Sequence, residues 1–173
     1  MSYNAIDLFS GAGGLHIGFE KAGFDIKLCI DNDNLVERTH KRNFPNIPMI
    51  NRDIRAVPSN EIKSYLDGGT VDVIIGGPPC QGFSTIGKRV SSNPEKRAKH
   101  DPRNELVLTY ARIIRELRPK FIVMENVKGI LTLQNGVYLQ NVLNQLHKAG
   151  YAAEYKLINM ADYGVPEIRE RSN

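Results

Sequence analysis

Apolar residues follow two alternating patterns along this chain, short unbroken runs and longer stretches in which they recur every three or four positions. The short runs are rich in β-branched residues and predict strands at residues 4–9, 26–30, 49–51, 71–75, 121–124 and 155–159, of which those at 71–75 and 121–124 are expected to be buried. Helical spacing is clearest in three sets: Leu15, Phe19 and Ala22; Leu106, Tyr110, Ile113 and Leu117; and Leu139, Val142, Leu143 and Leu146. Strands that alternate with helices predict an α/β fold built on a doubly wound, mostly parallel sheet.

The loop after the fourth predicted strand holds a single cysteine in a stiff backbone. Gly76 and Gly77 allow a turn where a Cβ would clash, and Pro78 and Pro79 fix φ at two positions just before Cys80. Most lone cysteines are small buried hydrophobic residues, but a loop of this kind adds nothing to a core. Because the carboxyl ends of strands carry the chemistry of open α/β sheets, we interpret Cys80 as a nucleophile at that edge.

A glycine turn separates the first strand from the first helix. Residues 10–14 read Ser-Gly-Ala-Gly-Gly, so backbone N–H groups can approach a nucleotide-like ligand. The dinucleotide fingerprint needs a third glycine where His16 stands, and a pyrophosphate would therefore lose one close approach. Asp31 ends the second strand, eighteen residues after Gly13, where an acid can accept hydrogen bonds from ribose hydroxyls.

Composition fits one soluble globular domain over residues 1–173, with 41% hydrophobic and 24% charged residues. No apolar run approaches the roughly 20 residues needed to cross a bilayer, so neither a membrane span nor a signal peptide is expected. Cys29 and Cys80 form no disulfide framework, which indicates a reducing, intracellular compartment. We expect a cytoplasmic protein, associated with the nucleoid in a bacterium, or a nuclear one in a eukaryote.

The net charge of +4 is concentrated in residues 84–103, which hold six Lys or Arg and two acids. The rest of the chain is therefore neutral overall. Lys and Arg placed along phosphates gain affinity by releasing counterions, so a basic loop next to Cys80 favours a nucleic-acid substrate. On charge alone, a solvated surface loop is an equal alternative.

Taken together, these motifs resemble the cytosine-5 DNA methyltransferases. The resemblance is carried by the glycine turn and by Asp31-Asn32-Asp33, Asp53-Ile54, Pro78-Pro79-Cys80-Gln81, Glu125-Asn126-Val127 and Arg169-Glu170-Arg171. It implies a Rossmann-like fold of the S-adenosylmethionine-dependent methyltransferase type, incomplete at its C-terminal edge.

The resemblance implies S-adenosylmethionine as the cofactor, with Phe9 against the adenine, Asp31 on the ribose, and Asp53 with Ile54 at the adenine edge. Singly, such Asp residues often cap helices and Phe often fills cores, but all three follow successive strands. The implied cofactor contacts are Phe9, Ser10, Gly11, Gly13, Gly14, Leu15, Asp31, Asn32, Asp53, Ile54, Pro79 and Leu106.

The resemblance also implies methyl transfer to carbon 5 of a cytosine flipped out of double-stranded DNA, as part of a restriction-modification system. Cys80 would add to carbon 6, while Glu125, expected to be buried, would protonate ring nitrogen 3. Arg169 and Arg171 would hold O2 of the base and a nearby phosphate, and Asn126 would orient the Cys80 loop. No metal ion is expected. DNA contacts are expected from Gln81, Ser84, Lys88, Arg89 and Arg97.

Two features depart from the family pattern. Glu167 stands where the family usually has Gln, which places an acid beside the two arginines. The chain also ends at Asn173, before the family's target-recognition region, its final helix and a strand that inserts between the fifth and sixth. We therefore expect the sixth strand to lack a neighbour on its sheet-facing side. A second polypeptide, or a removed C-terminal part, would complete the enzyme, and the chain alone would be inactive or nearly so.

Three alternatives stay open at this point. One is methylation of cytosine in tRNA by the branch of the family that shares these motifs. Another is a non-catalytic cofactor-binding or assembly subunit that works only with a partner. A nicotinamide enzyme fits least well, because His16 interrupts the fingerprint and Cys80 would have no role.

Overall fold

The computed structural model describes residues 2–79, 104–132, 136–167 and 169–172, and the chain divides into two compact units. One unit comprises Met1–Gly77 and Arg112–Met124, and the other comprises Pro78–Ala111 and Glu125–Asn173. Each unit contains its own sheet. None of the described helices is both long enough and apolar enough to span a membrane.

A five-stranded parallel sheet forms the centre of the first unit. Its strands are β1 (Asn4–Leu8), β2 (Asp25–Asp31), β3 (Met49–Asn51), β4 (Val73–Gly76) and β5 (Phe121–Met124). They are ordered β3-β2-β1-β4-β5, and every neighbouring pair is parallel. The chain runs outward from β1 to β3 and then returns to the other side of β1. This confirms the predicted doubly wound sheet, whose reversal between β1 and β4 marks an edge where ligands bind in such folds.

Among the described residues, four helices connect these strands: α1 (Gly14–Lys21), α2 (Asn34–Asn43), α3 (Ser59–Lys63) and α4 (Asn104–Leu117). The sequence patterns predicted α1 and α4 but not α2, whose residues are mostly polar and whose Leu35 is 67% exposed. A cap defines the start of α2 instead, because Oδ1 of Asp33 accepts the N–H of Leu35 over 2.7 Å.

The core of the first unit lies along its central strands. The strand β4 is buried throughout, as predicted, and the apolar residues Ile6, Leu8, Leu28 and Ile30 of β1 and β2 are all 0% exposed. The expectation of a buried strand was wrong for β5, where Phe121 is 68% exposed and the other three residues are partly buried. The physical reason is position, since β5 is the last strand in the order of this sheet.

The second unit holds a small antiparallel sheet and the helix α5 (Val137–Lys148). Its strands are β6 (Asn126–Val127), β7 (Leu157–Asn159) and β8 (Glu170–Ser172), in the order β6-β8-β7. The expectation that the sixth predicted strand lacks a neighbour was therefore wrong. Pairing begins at Glu170, within the Arg-Glu-Arg motif itself, and Arg171 stands opposite both Ile158 and Val127.

Candidate active site

A left-handed turn joins β1 to α1 at the carboxyl end of the first strand. Phe9, Gly11 and Gly13 have φ values of 63°, 53° and 93°. A positive φ is uncommon for a bulky residue such as Phe9, and it typically occurs where a surrounding structure enforces it at a functional turn. The N–H of Phe9 donates to the carbonyl oxygen of Ile30 over 2.8 Å, which fixes the turn to β2. The N–H groups of Ser10, Gly11 and Gly13 donate to the Ile30 carbonyl oxygen, to Oδ2 of Asp31 and to the Ser10 carbonyl oxygen, respectively. The expectation that the N–H groups of this turn are free to approach a ligand is therefore wrong for these residues.

Asp31, the last residue of β2, connects the glycine turn to the loop that follows. Its Oδ2 accepts the N–H of Gly11 over 2.9 Å, and its Oδ1 accepts the N–H of Asp33 over 3.0 Å. A carboxylate offers about four acceptor positions, so both oxygens can still accept hydrogen bonds from a ligand's hydroxyl groups. The neighbouring Asn32 is exposed.

Asp53 follows β3 and has a partner that the sequence analysis missed. Its Oδ2 lies 2.6 Å from a terminal nitrogen of Arg55, and its Oδ1 accepts the Arg55 backbone N–H over 2.9 Å. Hydrogen bonding to the Arg55 side chain holds the pKa of the Asp53 carboxyl below its usual value. Ile54, which begins a short 3-10 turn, is 4% exposed. The acid that should meet the adenine edge is thus kept ionised by a cation two residues away.

The ends of β1, β2 and β3 meet at one edge of the first sheet. Their register pairs Leu8 with Ile30 and Ile30 with Ile50. Most of the predicted cofactor contacts therefore belong to one edge of one unit, namely Phe9, Ser10, Gly11, Gly13, Gly14, Leu15, Asp31, Asn32, Asp53 and Ile54. Pro79 and Leu106 belong to the second unit, where both are partly buried.

Beside the glycine turn lies a buried polar cluster formed by Asp7, His16 and Cys29, each 0% exposed. Nδ1 of His16 lies 3.4 Å from Sγ of Cys29 and 3.7 Å from Oδ2 of Asp7. Burial raises the pKa of the Cys29 thiol, and the charge of Asp7 adds to the effect. Burial also raises the pKa of Asp7, although His16 partly opposes this.

This cluster was missed because its three members come from β1, α1 and β2 and look like core positions in the sequence. Their donor atoms all lie within 4.8 Å of one another, and they form the group among the described residues that could hold a metal ion. Neither carboxyl oxygen of Asp7 has a hydrogen-bond partner of good geometry within the described part of the chain.

In the second unit, Asn126 supports the loop that leads to the predicted nucleophile. Its side chain is 3% exposed, and its Nδ2 donates to the carbonyl oxygen of Pro78 over 3.0 Å. Its Oδ1 accepts the N–H of Val127 over 2.9 Å. The structure thus confirms that Asn126 contacts this loop. Outside the described residues lie Cys80, Gln81, Ser84, Lys88, Arg89 and Arg97.

Glu125 and Arg171 form an ion pair, with Oε1 of Glu125 2.6 Å from Nε of Arg171. The Nε–H is not aligned on the carboxylate, so the contact is an ion pair rather than a hydrogen bond. Burial of Glu125 is only partial, since its side chain is 30% exposed, whereas that of Arg171 is 16% exposed. The predicted acid and one predicted arginine are therefore brought together within this unit.

Arg169 has a different environment. Its side chain is 48% exposed and lies 4.0 Å from Oε1 of Glu167, the residue that departs from the family pattern. Its backbone N–H donates to Oδ1 of Asn159 over 3.2 Å, which holds it next to β7. The two arginines are thus not equivalent, because Arg171 is paired and mostly buried while Arg169 faces solvent.

Comparison with known proteins gives a consistent result. The family of C-5 cytosine-specific DNA methylases matches residues 3–172. The Type II methyltransferase M.XorII of Xanthomonas oryzae pv. oryzae is 42% identical over 170 residues, which cover 96% of this chain and 38% of that protein. M.AquIA of Picosynechococcus, also a Type II methyltransferase, is 39% identical over 181 residues, which cover 99% of this chain and 70% of that protein.

A solved structure is similar over nearly the whole chain. It is an E. coli protein assigned as a DNA modification methyltransferase encoded within a prophage, with a TM-score of 0.82 and 36% identity. The similarity covers 99% of this chain and 45% of that one. The chain thus spans less than half the length of M.XorII and of the E. coli protein.

Proposed function

Because the chain belongs to the C-5 cytosine-specific DNA methylase family, we propose that it transfers a methyl group from S-adenosylmethionine to carbon 5 of cytosine in double-stranded DNA. The observation that carries the proposal is the second unit's arrangement, in which Asn126 binds the Pro78 carbonyl while the adjacent Glu125 pairs with Arg171. Because Asn126 follows Glu125 directly, its hydrogen bond to Pro78 ties the proposed acid to the loop of the proposed nucleophile. Similarity to Type II methyltransferases supports a role in restriction and modification.

The residues at the edge of the first sheet fit this cofactor. The turn at residues 11–14 has positive φ at Gly11 and Gly13, and there is open space beside Gly11 and Gly14, where an ideal Cβ would have no heavy atom within 4 Å. Asp31 keeps free acceptor positions for ribose hydroxyls, and Asp53 remains ionised beside Arg55 for an exocyclic amine of the adenine. When bound, the cofactor supplies an electrophilic methyl group.

Cys80 is the proposed nucleophile. Carbon 5 of cytosine is a weak nucleophile until the Cys80 thiolate adds to carbon 6 and shifts electron density onto carbon 5. After methyl transfer, loss of the carbon 5 proton and elimination of the thiolate restore the aromatic base and the free Cys80. The amide of Asn126 supports this step by fixing the Pro78 carbonyl, two residues before the sulfur.

Glu125 is the proposed acid at ring nitrogen 3, and Arg171 orients it. Protonation of that nitrogen makes the ring more electrophilic at carbon 6, so addition of Cys80 becomes easier. The 2.6 Å ion pair to Arg171 sets the position of the carboxyl group, and the guanidinium keeps other N–H groups for O2 of the base. Arg169, exposed beside Glu167, is the proposed contact to a phosphate.

The target base must leave the duplex to reach these groups, because stacking covers both faces of its ring. We assign the backbone contacts around the flipped base to Gln81, Ser84, Lys88, Arg89 and Arg97, in the basic stretch after the nucleophile. Such contacts position the duplex but carry little sequence information.

Activity requires a complementary segment, either on a second polypeptide or elsewhere in a longer protein. The support is the exposed end of the first sheet, where Phe121 is 68% exposed in β5 and the other residues of this strand are only partly buried. A large apolar side chain on an end strand is a typical site for another element to pack. The complementary segment would also choose the DNA sequence.

A trapping assay tests the proposed function. Duplex DNA containing 5-fluorocytosine is incubated with S-adenosylmethionine and the chain, alone and together with the products of flanking coding sequence. Fluorine cannot leave carbon 5 as a proton does, so we expect a denaturant-stable complex between protein and DNA in the complete system, and none with Cys80→Ala. Trapping or wild-type methylation by Cys80→Ala would contradict the proposal. A parallel arm with tRNA identifies the tRNA-methylating alternative if that substrate alone is methylated.

A further inference from the structure

We propose that His16 is a positioning residue whose imidazole ring holds the turn at residues 11–14 in the conformation that receives the cofactor. The proposal rests on the cofactor site proposed above. It assigns a structural role to His16, which stands where the dinucleotide pattern has its third glycine. His16 is 0% exposed, so its ring acts through its neighbours rather than by touching the cofactor.

One edge of the His16 ring packs directly against Gly13. An ideal Cβ on Gly13 would lie 2.7 Å from Cε1 and 3.0 Å from Nε2 of His16, and 2.9 Å from Cε2 of Phe44. Phe44 meets His16 edge to face, with ring centroids 4.2 Å apart and an interplanar angle of 81°. The two rings thus fill the place that a side chain at Gly13 would occupy, and they press on a residue whose φ is 93°.

The other edge of the ring is anchored in the sheet. Nδ1 of His16 lies 3.4 Å from Sγ of Cys29 in β2. Burial raises the pKa of this thiol, so Cys29 keeps its proton and can share a hydrogen bond with Nδ1. Asp7 in β1 lies 3.7 Å from the same nitrogen. The ring therefore lies between the two strands and the turn. Its contacts with β1 and β2 fix its position, and the ring in turn restricts the backbone of Gly13.

The same three donor atoms could instead bind a metal ion, since they lie within 4.8 Å of one another. A metal would need the thiolate and the carboxylate, so its binding would release the protons of both groups. The metal content of the protein decides between a hydrogen-bonded support and a metal site.

The first test needs no ligand. Hydrogen exchange of the turn amides is measured in wild-type protein, His16→Ala and the matched control Ile62→Ala. Ile62, in α3, is also 0% exposed and belongs to the same unit. We expect exchange at residues 11–15 to rise about tenfold in His16→Ala and to change little in Ile62→Ala. His16→Gln serves if the alanine variant does not fold. Equal effects of the two alanine variants on the turn would overturn the proposal.

The second test is a double-mutant cycle on cofactor affinity, measured by calorimetry with S-adenosylhomocysteine. Gly13→Ala should weaken binding strongly in wild-type protein and less in His16→Ala, because the clash with the ring is then removed. If the effects of Gly13→Ala and His16→Ala on affinity were additive, the proposal would be contradicted. One equivalent of zinc in purified wild-type protein that is lost in Cys29→Ala would also contradict it. Failure of wild-type protein to bind the cofactor would contradict the proposed function instead, and the exchange result would still decide the role of His16.

Discussion

At the scale of single residues, the second unit depends on the amide of Asn126. This side chain is 3% exposed and pairs with the Pro78 carbonyl oxygen. Replacing it with alanine leaves a carbonyl acceptor unpaired, which costs about 1–3 kcal/mol. We expect Asn126→Ala to lower the free energy of unfolding by that amount and to slow trapping of 5-fluorocytosine DNA. Urea denaturation and single-turnover trapping measure the two effects. The control Asn126→Asp keeps the acceptor for Val127 but loses the donor, so it should slow trapping similarly.

Glu125 gives a second prediction at this scale. Glu125→Gln keeps the size of the side chain but removes the carboxyl group that is proposed to protonate ring nitrogen 3, so methyl transfer in the complete enzyme should fall by about 10²–10⁴. Its stability should change little, because a partly exposed ion pair such as that with Arg171 typically contributes about 0–1 kcal/mol. Single-turnover kinetics and urea denaturation of one preparation provide the comparison. A Glu125→Gln enzyme with the wild-type rate would remove this carboxyl group from the chemistry.

The raised pKa of Asp7 predicts a pH dependence of stability. A carboxyl whose pKa is higher in the folded state than in the unfolded state favours folding while it is protonated, and that contribution is lost as pH rises through the folded pKa. Asp7→Asn cannot lose a proton, so its stability relative to wild type should increase as pH rises from about 4 towards 7. Urea denaturation at several pH values measures the difference. A difference that is constant with pH would show that Asp7 does not titrate as expected.

At the scale of elements, the spacing of apolar residues predicted most strands. It did not predict elements that depend on a helix cap or on pairing with a strand distant in sequence. The apolar runs located β1 to β5, and β4, which is buried throughout, shows the unbroken apolar segment that burial on both faces favours. The helix α2 was missed because its start depends on the Asp33 cap rather than on apolar spacing. The strand β8 was missed because Arg169-Glu170-Arg171 is charged, and its pairing depends on partners distant in sequence. For the site, strand ends located Asp31 and Asp53, whereas no local pattern joins Asp7, His16 and Cys29.

The middle position of β8 leads to a prediction for this small sheet. Ser172 is buried and stands opposite both Asn126 and Leu157. Proline there removes a backbone donor from a strand with neighbours on both sides, so Ser172→Pro should loosen the sheet of the second unit. Hydrogen exchange should rise at residues 126–127 and 157–159 and stay unchanged in β1 and β2. Ser172→Ala, which keeps the backbone donor, is the control, and a similar response in both variants would contradict this account of β8.

At the scale of the whole molecule, the exposed end of the first sheet provides a test of the proposed complementary segment. Phe121 is 68% exposed, so Phe121→Ser should cost little stability in the isolated chain and should reduce its self-association. In the complete enzyme, we expect the same change to weaken assembly and lower methylation. Sedimentation of the isolated chain and methylation by the complete system provide the two measurements. Phe121→Ser with unaltered methylation would show that the complementary segment does not cover this strand. The matched control Tyr155→Ser alters another exposed aromatic residue, which belongs to the second unit.

The pairing of β8 also has a consequence for the order of events during synthesis on the ribosome. The strands β1 to β4 lie within residues 4–76, so the glycine turn and Asp31 can be in place once that segment has emerged. The strands β6 and β7 have to wait for residues 170–172 to appear, because β8 lies between them. The ion pair between Glu125 and Arg171 can form only at that late moment. A nascent chain can therefore form the turn at residues 11–14 well before the ion pair between Glu125 and Arg171, which has to wait until translation has passed Ser172.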